Sequence, residues 1–212
     1  MAGTKKNEVT IEMKPMAIRT ATVNIVGDAD IVLNKMNDVT VRTLTDIRKN
    51  KAKSMDVPNE WEEIITAMHW YNGKPTDFSK EGLEAALKEN SPCITAFGLK
   101  KSFMNAVVRN KIDTYSTGFD ASVNILARGG LVPIKFTEHY IDEKLMTPKK
   151  GSPVLARLNR FRGWSADIQI QFVETAYSLE QILNIINYAG FGIGIGSGRS
   201  SGFGRYHVES VK

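Results

Sequence analysis

Residues 165–212 read SADIQIQFVETAYSLEQILNIINYAGFGIGIGSGRSSGFGRYHVESVK, and this stretch decides the fold. Ser165 to Val173 alternates, with Ala166, Ile168, Ile170 and Phe172 on one side, the period of a half-buried strand. Ser178 with Gln181 three residues on is a capping box. Leu179, Ile182, Leu183, Ile185 and Ile186 supply the apolar face of the helix it opens. A glycine tract follows, and Arg205 to Val211 reads as a final strand. Strand, helix and strand in so short a span form half of an α+β layout.

Working back from this end, residues 17–26 (AIRTATVNIV) are β-branched, mostly alternating and closed by Gly27-Asp28. They supply a first strand for the other half. The expected architecture is one domain over 1–212, with 1–8 a flexible tail and 165–212 its C-terminal unit. Its class is α+β, with a ferredoxin-like core, a large mainly helical insertion and a C-terminal glycine-rich loop. The insertion, 27–137, is expected to hold helices and a hairpin. A loose helical spacing covers 38–53, and Pro58-Asn59-Glu60 opens a second helix bearing Trp61, Ile64, Ile65 and Met68. Ser79 caps a third around Leu83, Ala86 and Leu87, and a fourth runs from about Ile94 to Val108. Arg128-Gly129-Gly130 reads as a hairpin turn within 120–137. Residues 138–160 show no period and contain Pro148, Gly151 and Pro153, so a flexible basic segment is expected there.

Composition narrows the function. The 212 residues are 42% hydrophobic and 24% charged, the balance of a globular chain. Cys93 is the only cysteine, which excludes an intrachain disulfide and a four-cysteine zinc site. His69, His139 and His207 have no metal-site spacing, so neither metal nor cofactor is expected. Met1 to Glu8 is polar with no apolar run behind it, and no stretch reaches 18 apolar residues. A soluble, cytoplasmic protein without a membrane partner is expected. The 28 Lys and Arg against 23 Asp and Glu leave a net charge of +5, which suits a polyanionic partner if the cations are concentrated.

Seven of the 17 glycines fall at even positions from Gly190 to Gly204. A G-x-G-x-x-G fingerprint needs mixed parity, and no glycine here precedes lysine, so neither common nucleotide loop fits. The spacing reads instead as an extended segment with a bare face opposite Phe191, Ile193 and Ile195. That face serves either tight helix–strand packing or close approach of a sugar–phosphate chain. Arg199, Arg205, Ser197, Ser200 and Ser201 favour the phosphate use. Gly196 and Gly198 are then expected to line a groove, whereas Gly190 reads as the left-handed helix cap.

Two acid-free stretches add cations. Lys144 to Ala166 carries Lys144, Lys149, Lys150, Arg157, Arg160 and Arg162, interleaved with Phe161 and Trp164. Such a mixture suits phosphates and stacked unpaired bases, although Trp164 equally reads as a core anchor for the strand after it. Ser91 to Ile112 carries Lys100, Lys101, Arg109 and Lys111 on a helix. Positions 101, 105, 108 and 112 share a face, so these four cations cannot all point one way. Cys93, behind Pro92, reads as a small buried hydrophobe.

A helix over 178–189 followed by GFGIGIGSGRSSGFG (Gly190–Gly204) and a last strand resembles the RAMP superfamily, RNA-recognition-fold proteins that build CRISPR effector complexes and process their guide RNAs. The ending is also similar to small phage-encoded proteins. The resemblance implies a non-catalytic protein that binds single-stranded RNA or DNA and assembles along it as a homo-oligomer or filament. The expected contacts are Lys100, Lys101, Lys149, Lys150, Arg157, Arg160, Arg162, Trp164, Gly196, Gly198, Arg199 and Arg205. Two alternatives remain at this point. One is a metal-independent endoribonuclease using His139, beside Tyr140. The other is a phage-encoded interaction module that mimics or blocks a CRISPR subunit in a bacterial host cell.

Overall fold

The computed structural model describes residues 16–49, 59–146 and 154–212. Strand β1 (Ile18–Gly27) turns Ala21, Val23 and Ile25 into the core, and β9 (Ser165–Val173) buries Ala166, Ile168, Ile170 and Phe172 beside them. From Ala21 to Ile25 and from Ala166 to Phe172 every second residue is thereby removed from water, as a one-sided sheet requires. β1 pairs on its other side with β10 (Tyr206–Val211), and β9 pairs with β5 (Val123–Leu126), all antiparallel. Helix α4 (Ala96–Arg109) precedes β5, and α6 (Leu179–Gly192) precedes β10. The units β1–α4–β5 and β9–α6–β10 therefore meet with strand order 4-1-3-2. This is the ferredoxin-like layout.

The two helices pack on one another. On α6 the buried residues Ile182, Ile185, Ile186 and Ala189 follow the i, i+3, i+4, i+7 pattern, and the Ser178–Gln181 capping box is formed. Thr95 caps α4, which buries Leu99, Phe103, Ala106 and Val107. Gly190 lies inside α6, not at its cap. A Cβ there would overlap the carbonyl of Tyr206, so the missing side chain lets β10 approach the helix. Gly194, at φ +72°, is where the chain leaves the helix.

The insertion is really two. Between β1 and α4 come β2 (Ile31–Leu33), α1 (Asp38–Arg48), α2 (Glu60–Thr66), β3 (His69–Trp70), α3 (Lys80–Glu89) and β4 (Pro92–Thr95). The short α5 (Thr117–Ser122) leads into β5, and between β5 and β9 come β6 (Leu131–Pro133), β7 (Glu138–Met146) and β8 (Val154–Arg162). Two small sheets, β2-β8-β7 and β3-β4-β6, each combine strands of both insertions. The stretch expected as one insertion thus contains the core's own α4 and β5.

Two local expectations are corrected. Gly129 and Gly130 have left-handed backbones, but the strands around them form no hairpin: β5 joins the main sheet while β6 pairs with β4. The segment expected to be flexible holds two nine-residue strands, registered from Glu138 against Arg162 to Met146 against Val154. Lys149 and Lys150 lie outside the described residues, as do 50–53 of the first expected helix. Among the described residues no helix is long and apolar enough to cross a membrane.

Candidate nucleic-acid interface

The register of β7 and β8 sets what the three arginines of β8 can do. Arg162 faces Glu138 and Arg157 faces Glu143 across the ladder, with contacts of 2.9 and 3.0 Å. Arg157 also reaches Glu60 at 3.2 Å, and Arg160 bonds Asp142 at 3.0 Å and Asp30 at 2.9 Å. Each guanidinium already has an anionic partner. Arg160 is further held between the rings of Tyr140 and Phe203, 4.9 and 4.5 Å from their centroids. Burial works to raise the Asp30 carboxyl, but the Tyr140 hydroxyl and the two arginines outweigh it and hold it below its ordinary value.

Trp164 is corrected as well. It is fully buried, its Nε1 donates 2.8 Å to the Ala29 carbonyl, and a side chain at Gly27 would overlap its indole. No face is left for a base to stack on. Lys100 is also turned away, bonded to Asp120 at 2.8 Å and close to Asn124 on the β5 side of α4.

The glycine tract is not extended. Beyond α6 it coils through left-handed positions at Gly194, Gly196, Gly198, Gly202 and Gly204, with a short 3-10 turn at Arg199–Ser201. Its own chain uses several bare positions: a Cβ at Gly196 would stand 2.6 Å from the Val32 carbonyl, and one at Gly198 2.8 Å from the Phe203 ring. The loop is pinned on three sides. Ser102 Oγ donates to the Gly194 carbonyl at 2.9 Å, Ser197 N donates to Val32 at 2.8 Å, and Gly204 N donates to Asp30 at 2.8 Å. Ser197 Oγ donates to the Asn34 carbonyl, so this hydroxyl has a partner within the chain.

What the loop forms with α4 is a groove. A concavity of about 340 Å³ lies between Phe97, Lys101, Ser197 and Arg199, and its far wall carries Lys35 and His69. It shares Gly196, Ser197 and Arg199 with a polar one of about 700 Å³ that adds Asn105, Arg109 and Arg205. That one shares Gly192 and Arg205 with a third, of about 770 Å³, bounded by Phe191 and Asp28. Lys101, Arg109, Arg199 and Arg205 have no ion pair among the described residues. Phe97 and Phe191, at opposite ends, are 77% and 83% exposed. Gly192 is open: a Cβ there would meet nothing within 4 Å.

Of the expected contacts the structure brings Lys101, Gly196, Gly198, Arg199 and Arg205 together. It places Arg157, Arg160 and Arg162 in ion pairs elsewhere. The expected contacts omitted Arg109 and Phe191, both noted in their stretches, and sequence reading missed Phe97 and Asn105 altogether. Phe97, Lys101, Asn105 and Arg109 recur every four residues, so they follow one helix face, a signal the 101/105/108/112 register hid.

His139 and Tyr140 are adjacent on a strand and project to opposite faces, so they cannot converge on one phosphate. His139 packs against Phe161 and shares a 3.0 Å hydrogen bond with Asn159 Oδ1. Burial lowers its pKa against the opposing effect of that bond. His69 is the imidazole that lines the groove, and burial, then Lys35, lowers its pKa. Cys93 is buried, with its thiol pushed up to about 12 by desolvation. The outer face of the main sheet carries Thr20, Thr22, Asn24, Gln169 and Gln171 from its central strands, with no aromatic ring among them.

No family model and no curated protein matches this sequence. Among solved structures, the chain is similar to one in the cryo-EM structure of type III-B Cmr-beta bound to cognate target RNA, with a TM-score of 0.49 and 10% identity. The match covers 92% of this chain and 60% of that one, so this chain spans less than two thirds of its neighbour's length. It is also similar to Cmr6 from Pyrococcus furiosus, with a TM-score of 0.33 and 13% identity, over 92% of this chain and all of that one.

Proposed function

We propose that this chain is a RAMP-type protein that binds single-stranded nucleic acid along the glycine-loop groove. The observation that carries the reading is continuity. Three concavities run into one another through Arg199 and Arg205, with exposed phenyl rings at both ends. Cations neutralise phosphates, and flat rings with nothing to pack on stack unpaired bases. The β8 arginines take no part, because a guanidinium that already holds a carboxylate must break that pair to accept a phosphate. The resemblance of the glycine-rich ending to the RAMP superfamily supports the same use.

The test is fluorescence anisotropy with labelled 20-nucleotide RNA and DNA single strands in EDTA, followed by a denaturing gel. Micromolar binding with the strand left intact is expected. No binding of either strand at low salt contradicts the reading. Cleavage in EDTA would replace it with a metal-independent nuclease, for which His69 has the better placement.

A further inference from the structure

The third concavity of the groove contains an acid, Asp28, among residues that otherwise suit a polyanion. Its other walls are Ala29, Phe191, Gly192 and Arg205. The Asp28 carboxylate is held in place: the backbone amide of Asp28 donates 2.9 Å to the Arg205 carbonyl, and His207 Nδ1 stands 2.6 Å from Oδ1. Ala29 beside it is fixed by the indole of Trp164. Oδ2 of Asp28 has no partner among the described residues. An anion at this place repels phosphate, so its chemistry suits a ligand edge made of donors.

We infer that this concavity is a seat for one guanine base, stacked on Phe191 and read by Asp28, with Arg205 taking an adjacent phosphate. The inference rests on the groove reading above. Guanine alone of the common bases offers two neighbouring donors, N1–H and the N2 amino group, on one edge. A carboxylate presents two acceptor oxygens with about four lone-pair sites, so Oδ1 can serve both His207 and guanine N1–H while Oδ2 takes N2–H. Adenine and cytosine set a ring-nitrogen lone pair beside their amino group, and uracil flanks its single N–H with two carbonyls. Each of these places an acceptor against the carboxylate. The bare Gly192 leaves the space beside the ring open, and the volume of about 770 Å³ lies in the range of small-ligand clefts.

The experiment compares labelled pentanucleotides UUGUU, UUAUU, UUCUU and UUUUU, as RNA and as the deoxy series with thymine for uracil, by anisotropy on the full chain. Guanine should bind about tenfold tighter than adenine, within the discrimination expected of one bidentate base contact. Asp28→Asn, which replaces one acceptor by a donor, should bring that ratio close to one. Phe191→Ala, a change on an exposed side chain, should weaken the guanine strand several-fold. Equal binding of all four strands overturns the seat while leaving the groove reading intact. A guanine preference that survives Asp28→Asn in a folded variant overturns the role of Asp28. If no pentanucleotide binds, the His207 imidazole resonances are followed while GMP or AMP is added. Shifts with GMP alone keep the seat and reject the groove, and no shift with either rejects both.

Discussion

Two basic regions of this chain carry arginines that look alike in sequence and differ in what surrounds them. On β8, Arg157, Arg160 and Arg162 each meet acids: Glu143, Asp142 and Glu138 on the neighbouring strand, and Asp30, Glu60 and Glu63 from the first insertion. Around the glycine loop, Arg199 and Arg205 stand beside Lys101 and Arg109 without an acid paired to any of them among the described residues. An acid-free window along the chain is thus no guide to an acid-free surface. Strand pairing and insertion docking bring the counter-charges, and only the arginines they miss keep a field for a polyanion.

The sharpest way to break the comparison is Arg160→Ala. It leaves Asp30 and Asp142 without their partner and removes the cation between Tyr140 and Phe203. Removing one side of a partly buried ion pair should cost about 3 kcal/mol. The urea midpoint should fall accordingly, and a drop in nucleic-acid affinity at unchanged stability would instead give β8 the functional role.

The glycines sharpen the same contrast. Gly190→Val drives a branched side chain into the Tyr206 carbonyl and should cost about 2–3 kcal/mol. Gly192→Val meets nothing, so it should leave the melting temperature nearly unchanged and block the groove. Gly198→Val, which the bare-face reading would make harmless to the fold, should also destabilise, because its φ is +69° and its Cβ space is filled by Phe203. If Gly192→Val binds normally, the strand does not run past the end of α6.

The smallest effect is a pH dependence. The Asp28 hydrogen bond raises the pKa of His207, opposed by slight burial and helped by Glu209. Its folded value therefore exceeds the unfolded one near 6.5. The stability it contributes is complete below the unfolded value and is lost as pH rises through the folded one. The side chain is half exposed, so less than about 1 kcal/mol is expected. His69 and His139, whose pKa values are lowered, act in the opposite sense. The readout is therefore the difference in urea midpoint between the wild type and His207→Ala, which should shrink from pH 5 to pH 9.

The core was legible where one face is buried and the other wet. β9, the cap of α6 and β1 all announce themselves because alternation and capping are local. β7 and β8 were not legible, since acids mix with apolar residues along β7 and arginines with apolar residues along β8, and the match between them is ion pairing across the ladder more than hydropathy. The helix-ending role read at Gly190 falls to Gly194, because nothing local tells a helical glycine under a strand from one that ends the helix. The groove was half legible. Arg199 and Arg205 sit in the glycine tract, while Phe97 and Arg109 reach it only through the packing of α4 against α6.

The most direct test of the groove is the salt dependence of binding to a 20-nucleotide single strand. Four cations, Lys101, Arg109, Arg199 and Arg205, should give a slope of log affinity on log salt of about −2.8, at about −0.7 per phosphate contact. The double variant Arg199→Ala/Arg205→Ala should flatten that slope by about 1.4, whereas Arg157→Ala/Arg162→Ala, if folded, should leave it in place. A slope that flattens with the β8 pair and not with the loop pair would put the strand on β8 and contradict the assignment of the groove.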